Sequence, residues 1–261
     1  MPHRSHHYRH LVQRWRSVAG SSGLRMRSFA QAGVDQLVYL QSPALAATGG
    51  IYISAAIHGD EAATSEALVI WAEKHASRLA GWPLLIFPCL NPWGLRNNVR
   101  LDADGLDLNR AFHLDEHPVI AGLKRVVGQR QFEVAVMLHE DYDGEGFYLY
   151  EIQRQRPFWG EDLLRIAARH VPTDPRARID GRKATVGLIR RRFDRALFER
   201  IGFPEAIWLH EFHARRALTL ETPSEFALER RVGAHVAVLE ECVQRVTTST
   251  KPTVLLSRAS R

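Results

Sequence analysis

Long hydrophobic runs are missing from this chain of 261 residues. The longest, Ile51 to Ile57 and Leu84 to Leu90, fall far short of the ~20 residues a membrane-spanning helix needs. No membrane association is therefore expected. The N-terminal stretch MPHRSHHYRHLVQRWRS also lacks the uninterrupted apolar core of a secretory signal. Cysteine is scarce: Cys89, in a strand-like run, and Cys242, in a helical one, are too few for a disulfide framework. They read as buried small side chains in a reducing compartment, so the expected location is cytoplasmic. Internal repeats and low-complexity tracts are absent, and no Pro/Gly/Ser linker divides the middle of the chain. One large domain at residues 28–246 is expected, with an N-terminal arm at 1–27. A C-terminal extension at 247–261 follows, whose Val254-Leu255-Leu256 run is a candidate edge strand.

Charge is present in moderate excess of one sign. Lys and Arg number 35 against 29 Asp and Glu, a net +6, which raises the question of a nucleic-acid partner. The arginines gather in the N-terminal tail, between Arg176 and Arg200, and at Arg215-Arg216, without interleaved aromatics or a recognition motif. That distribution reads as a solvated basic face, and no nucleic-acid partner is expected.

Apolar β-type runs alternate with helix-period segments. IYISAAI (51–57), WPLLIFPCL (82–90), FEVAVML (132–138), AIWL (206–209) and ALTL (217–220) read as strands. FYLYEI (147–152) alternates after the turn-forming DYDGEG and reads as the hairpin partner of the preceding strand. Helical segments are expected at 60–77, with Ala63, Ala67, Ile70 and Trp71 on one stripe, and at 118–128, 159–170, 191–201 and 224–246. Strands separated by helices predict a single α/β domain with a mixed, mostly parallel central sheet and helices on both faces. Ligands in such sheets sit at the carboxyl ends of the strands.

Those strand ends are where chemistry-bearing residues fall. His58-Gly59-Asp60-Glu61 closes the first buried strand and sets an imidazole and a carboxylate across one tight turn, half of a zinc site. A second H-x-x-E, His113 to Glu116, is a rival copy. His139 ends the strand FEVAVML, so His58, Glu61 and His139 would give three protein ligands with one position left open, as in catalytic zinc. ALTLET ends on Glu221, a carboxylate placed to take a proton from water and pass it to a leaving amine.

Asn91-Pro92-Trp93-Gly94, Arg100 and Asp107-Leu108-Asn109-Arg110 complete a pattern whose order and spacing resemble the M14 zinc carboxypeptidase family over roughly residues 50–225. The resemblance implies one zinc per chain on His58, Glu61 and His139, with Glu221 as general base and acid. It also implies that Arg100 stabilises the oxyanion and that Asn109 and Arg110 clamp a terminal carboxylate, roles that suit a planar guanidinium. The chain departs from the family's digestive members in Glu140-Asp141-Tyr142, where they carry Ser-Tyr. A mobile active-site tyrosine stays open among Tyr142, Tyr148 and Tyr150. His210-Glu211-Phe212-His213 is a competing metal pair, read as supporting the fold or lining the cleft.

The expected activity is hydrolysis of an amide next to a free carboxylate, by a carboxypeptidase or an amidase of peptidoglycan-derived peptides. The alternative is an N-acyl amino acid hydrolase, because H-G-x-E and D-L-N-R-A-F also resemble the aspartoacylase and succinylglutamate desuccinylase type. Those relatives usually carry a β-rich domain, for which the residues after Glu221 leave little space. The expected partner is a peptide or acyl-amino-acid substrate with a free carboxylate. Oligomeric state is not legible.

Overall fold

A computed structural model describes residues 4–154, 156–190 and 202–249. Helix α1 (Tyr8–Ser22) precedes strands β1 (Arg25–Ala32), β2 (Asp35–Gln41) and β3 (Thr48–Ser54). Helix α2 (Ala62–Lys74), β4 (Leu84–Phe87), α3 (Pro92–Asn97), α4 (Pro118–Val127), β5 (Gln131–Asp141), β6 (Tyr148–Gln153) and α5 (Gly160–Ala167) follow. Two short strands, β7 (Arg178–Ile179) and β8 (Arg182–Lys183), form a separate hairpin. The described chain continues with β9 (Leu188–Arg190), α6 (Glu205–Phe212), β10 (Arg216–Pro223) and α7 (Leu228–Ser249).

Eight strands make one sheet in the order β1-β2-β4-β3-β5-β10-β6-β9. The central four, β4, β3, β5 and β10, are parallel, while β1-β2, β2-β4 and β10-β6 pair antiparallel. This is the α/β architecture expected. Period-2 alternation sorts the central side chains into two cores. Ile51, Ile53, Val134, Val136, Leu138, Leu218 and Leu220 pack with α1, α2, α5 and α7 on one face. Tyr52, Ala135, Met137 and Ala217 pack with α4 and α6 on the other. No described helix is long and apolar enough to cross a membrane.

Three elements differ from the sequence expectation. AIWL lies inside helix α6, where Ile207 and Leu209 are fully buried. Four apolar residues cannot distinguish a buried helix from a strand. Strand β6 is not the hairpin partner of β5, because β10 lies between them. The hairpin β1-β2 has no counterpart among the expected strands: β1 lies at the sheet edge with Phe29 as its one buried residue and carries little apolar signal. Within residues 1–27, α1 packs onto the core with Trp15 fully buried. The expected helix at 191–201 and the Val254–Leu256 run lie outside the described residues.

Candidate metal centre

Strand β3 delivers residues 55–61 to the carboxyl edge of the sheet, and its neighbours hold that loop in place. Ala56 N donates to Thr64 Oγ1 at 3.0 Å, and Leu90 N and Asn91 N donate to the Ala56 carbonyl at 3.2 and 2.9 Å. Gly59 is needed for a close approach, since a Cβ there would stand 1.9 Å from the carbonyl carbon of Gly94. The H-G-D-E turn is thus seated on the N-P-W-G helix. Asn91 caps that helix through Oδ1, 2.9 Å from Gly94 N, and its Nδ2 donates to the carbonyls of Arg100 and Leu101 at 3.2 and 3.0 Å. One asparagine therefore fixes both the turn under His58 and the backbone that presents Arg100.

From the other side, β5 and β10 run parallel with His139 opposite Glu221, and β6 continues the row with Tyr148. His58, Glu61 and His139 are each at most 3 % exposed. His58 Nδ1 lies 2.6 Å from Glu61 Oε1 and His139 Nδ1 lies 3.1 Å from Glu61 Oε2, with the imidazole centroids 5.1 Å apart. One ligand atom from each residue falls within 4.8 Å of the others. Glu61 Oε2 is buried with no hydrogen-bond partner. The far nitrogen of His58, Nε2, is 3.2 Å from Asp107 Oδ1. A hydrogen bond from Nε2 to Asp107 would leave Nδ1, on the Glu61 side, as the nitrogen offered to a metal ion in place of its proton, the carboxylate–imidazole arrangement that orients metal ligands.

The electrostatics agree with a cation site. Burial disfavours a charged His58, yet Glu61 and Asp107 outweigh it and raise its pKa to about 9. His139 is raised in the same way, against its burial, by Glu61 and Glu221. Burial pushes Glu61 up, but the two imidazoles win and lower it to about 2. These buried groups demand positive charge, which protons supply until a metal ion displaces them. Two imidazoles and a carboxylate, one of whose buried oxygens makes no hydrogen bond, fit a metal ion.

The cluster opens into a cavity of about 460 Å³ that also takes its lining from Arg100, Asn109, Arg110 and Glu221. All seven sequence-predicted site residues therefore meet in one place. Arg100 donates from Nε and Nη2 to Asp107 Oδ2 at 3.2 and 3.0 Å, and its Nη1 lies 4.0 Å from Glu61 Oε1. Asn109 Oδ1 accepts from Glu205 N at 3.1 Å, so the rest of its amide is a donor. Arg110 is exposed and donates to the Asn109 carbonyl at 3.2 Å. Burial drives the Glu221 carboxyl well above its usual range; His139 opposes this, while Glu61, Asp141 and Asp180 reinforce it.

Sequence reasoning missed Asp107, although it opens the D-L-N-R run and caps the turn at Leu108–Arg110 through Oδ1, 2.9 Å from Asn109 N. Of the three tyrosines left open, Tyr148 and Tyr150 line the cavity, whereas Tyr142 is 76 % exposed and does not. His113 and Glu116 are exposed and stand apart from the cavity. His210 and His213 lie with Gln131, Glu133, Arg215 and Arg216, at the opposite, amino ends of β5 and β10.

Comparison with known proteins follows the same lines. Residues 47–159 match the succinylglutamate desuccinylase/aspartoacylase catalytic domain. No curated protein gives a match. A Shewanella amazonensis protein, whose assignment as a metallopeptidase is itself an inference, shares the fold with a TM-score of 0.79 at 22 % identity, over 93 % of this chain and 94 % of that one. The Burkholderia cenocepacia metallo-carboxypeptidase gives 0.65 at 17 % identity, over 93 % and 69 %. The murein-tripeptide amidase MpaA of Escherichia coli O157 gives 0.57 at 16 % identity, over 84 % and 91 %. The likeness to these three structures is one of fold, an α/β domain, and within it His58, Glu61 and His139 form a candidate metal centre. The match at residues 47–159 spans the turn that carries His58 and Glu61, the Arg100 to Arg110 stretch and His139.

Proposed function

We propose that the chain is a zinc-dependent hydrolase of an amide bond next to a free carboxylate, acting as a metallocarboxypeptidase, with peptidoglycan-derived peptides among its candidate substrates. The observation that carries this reading is the convergence of His58, Glu61 and His139 in a cavity whose remaining wall supplies Arg100, Asn109, Arg110 and Glu221. Zinc in that cluster would supply Lewis-acid polarisation of a carbonyl and of water.

The chain's own residues provide the rest. Arg110 and the Asn109 amide hold the substrate carboxylate, and Arg100, kept in place by Asp107, faces the negative charge that develops on the carbonyl oxygen. Glu221 takes a proton from water and returns it to the leaving amine. A carboxylate raised by burial is a stronger base, and a cation nearby draws its pKa back toward neutrality, where such a group works best.

The acylase alternative, hydrolysis of an N-acyl amino acid, is favoured by the match at residues 47–159. It uses the same zinc chemistry but changes where the recognised anion sits. The two separate in a comparison of matched peptides ending in free acid or amide with acetyl, aspartyl and succinyl amino acids, for the parent and Arg110→Met. Cleavage of acid peptides only, lost ~100-fold or more in Arg110→Met, is expected for the carboxypeptidase. Equal cleavage of acid and amide peptides, or hydrolysis confined to acyl amino acids, overturns it.

A further inference from the structure

Glu61 occupies the N-cap position of α2 but makes no capping hydrogen bond. An N-cap side chain ordinarily turns back onto the second or third backbone N–H of its helix. Here the Glu61 oxygens are directed at His58 and His139 instead. The N–H left without its usual partner, that of Ala63, donates to Glu140 Oε2 at 2.8 Å. Glu140 comes from a different element, β5, one residue beyond His139.

We propose that Glu140 is a positioning residue that caps α2 in place of Glu61, so that Glu61 is left to bind metal. This rests on the metal-site reading above. The Glu140 side chain is fully buried, which is costly for a carboxylate unless each oxygen is satisfied. Both are: Oε2 by Ala63 N, and Oε1 by the guanidinium of Arg231 on α7 and by Thr222 Oγ1 at 3.4 Å. The Thr222 hydroxyl is shared in turn with His235 Nε2 at 3.0 Å. One carboxylate thus ties α2, which begins beside Glu61, to β5, which carries His139, and to β10, which carries Glu221. With both oxygens occupied, Glu140 is not available as a second proton acceptor. A serine at position 61 would cap the helix locally and offer no carboxylate; with the cap supplied from β5, Glu61 faces the imidazoles while the Ala63 N–H stays satisfied.

The test measures Zn²⁺ affinity by chelator competition on metal-free protein reloaded with Zn²⁺ alone, alongside thermal stability. Glu140→Ala is expected to bind Zn²⁺ about 10–100-fold more weakly, the usual cost of losing a group that orients a ligand. Glu140→Gln, whose amide oxygen still accepts from Ala63 but whose NH2 then faces Arg231, should lose clearly less than Glu140→Ala, and Leu239→Ala, a core variant of α7 that lowers stability without touching the cap, should stay within about threefold of the parent. Parental affinity in Glu140→Ala overturns the proposal. So does equal loss in Glu140→Gln, which would implicate charge rather than the cap, or equal loss in Leu239→Ala, which would implicate stability alone. Should Glu140→Ala not fold, Arg231→Met, which releases Glu140 from α7, is expected to weaken binding, and parental affinity there overturns the role. The metal-site reading is judged separately: a Glu61→Gln variant that binds Zn²⁺ as tightly as the parent removes that reading and this role with it.

Discussion

At the scale of single residues, the proposed function divides the site into groups that hold charge and one, Glu221, that moves a proton. Glu221→Gln keeps the shape of the side chain and removes the acceptor. It is expected to fold, retain metal and lose ~100- to 10,000-fold in turnover, measured at saturating substrate; activity within tenfold of the parent would remove Glu221 from the chemistry. Asp107→Ala takes away the partner that fixes the His58 imidazole and steadies Arg100. Metal affinity should fall about 10–100-fold, and unchanged affinity in a chelator titration would show that His58 needs no such support. The two cysteines lie outside this chemistry. Burial pushes both thiols up to about 12, so they stay neutral at pH 8 and are expected to resist alkylation until the protein unfolds. Rapid labelling of the native protein, read by mass, would contradict their burial.

At the scale of elements, the turn between β3 and α2 is the place where packing and chemistry meet. Gly59→Ala drives a methyl group into the backbone of Gly94, which is not the flexible end of a side chain and cannot yield cheaply. A loss of about 1–3 kcal/mol or more in denaturant unfolding is expected, together with weakened metal binding as His58 shifts; parental stability would mean that the turn sits farther from α3. The site was more legible than its surroundings for a related reason. His58, Glu61, His139 and Glu221 stand at the ends of strands buried on both faces, whose apolar runs mark them clearly. Their meeting then needs only the sheet rule and the resemblance in motif order. Pairing partners carry no such mark. Alternation in Tyr148–Gln153 identifies a strand but not its neighbour, and the chain before it is drawn away from β5 by bonds from Glu145 N to Asp174 and from Phe147 N to the Pro172 carbonyl. In α6, Pro204 and Glu205 are helix-start signals that the apolar run after them concealed. Glu140 was visible only as a departure from the family pattern, because a cap supplied from another element leaves no spacing to read.

At the scale of the molecule, the carboxyl edge of four parallel strands forms the platform, and helices on both faces keep it rigid. Helix α1 belongs to that support: Trp15→Ala should cost about 3–5 kcal/mol in unfolding free energy, and a loss below ~1 kcal/mol would mean α1 is dispensable to the core. The platform has one central purpose in this reading, to hold a metal ion between two imidazoles and a carboxylate beside a carboxylate-binding wall. Elemental analysis of the purified parent, His58→Ala and His139→Ala tests that most directly. About one zinc per chain in the parent, falling sharply in both folded variants, is the expected result. Full zinc in both variants would contradict the centre at His58, Glu61 and His139 and turn attention to His210 and His213.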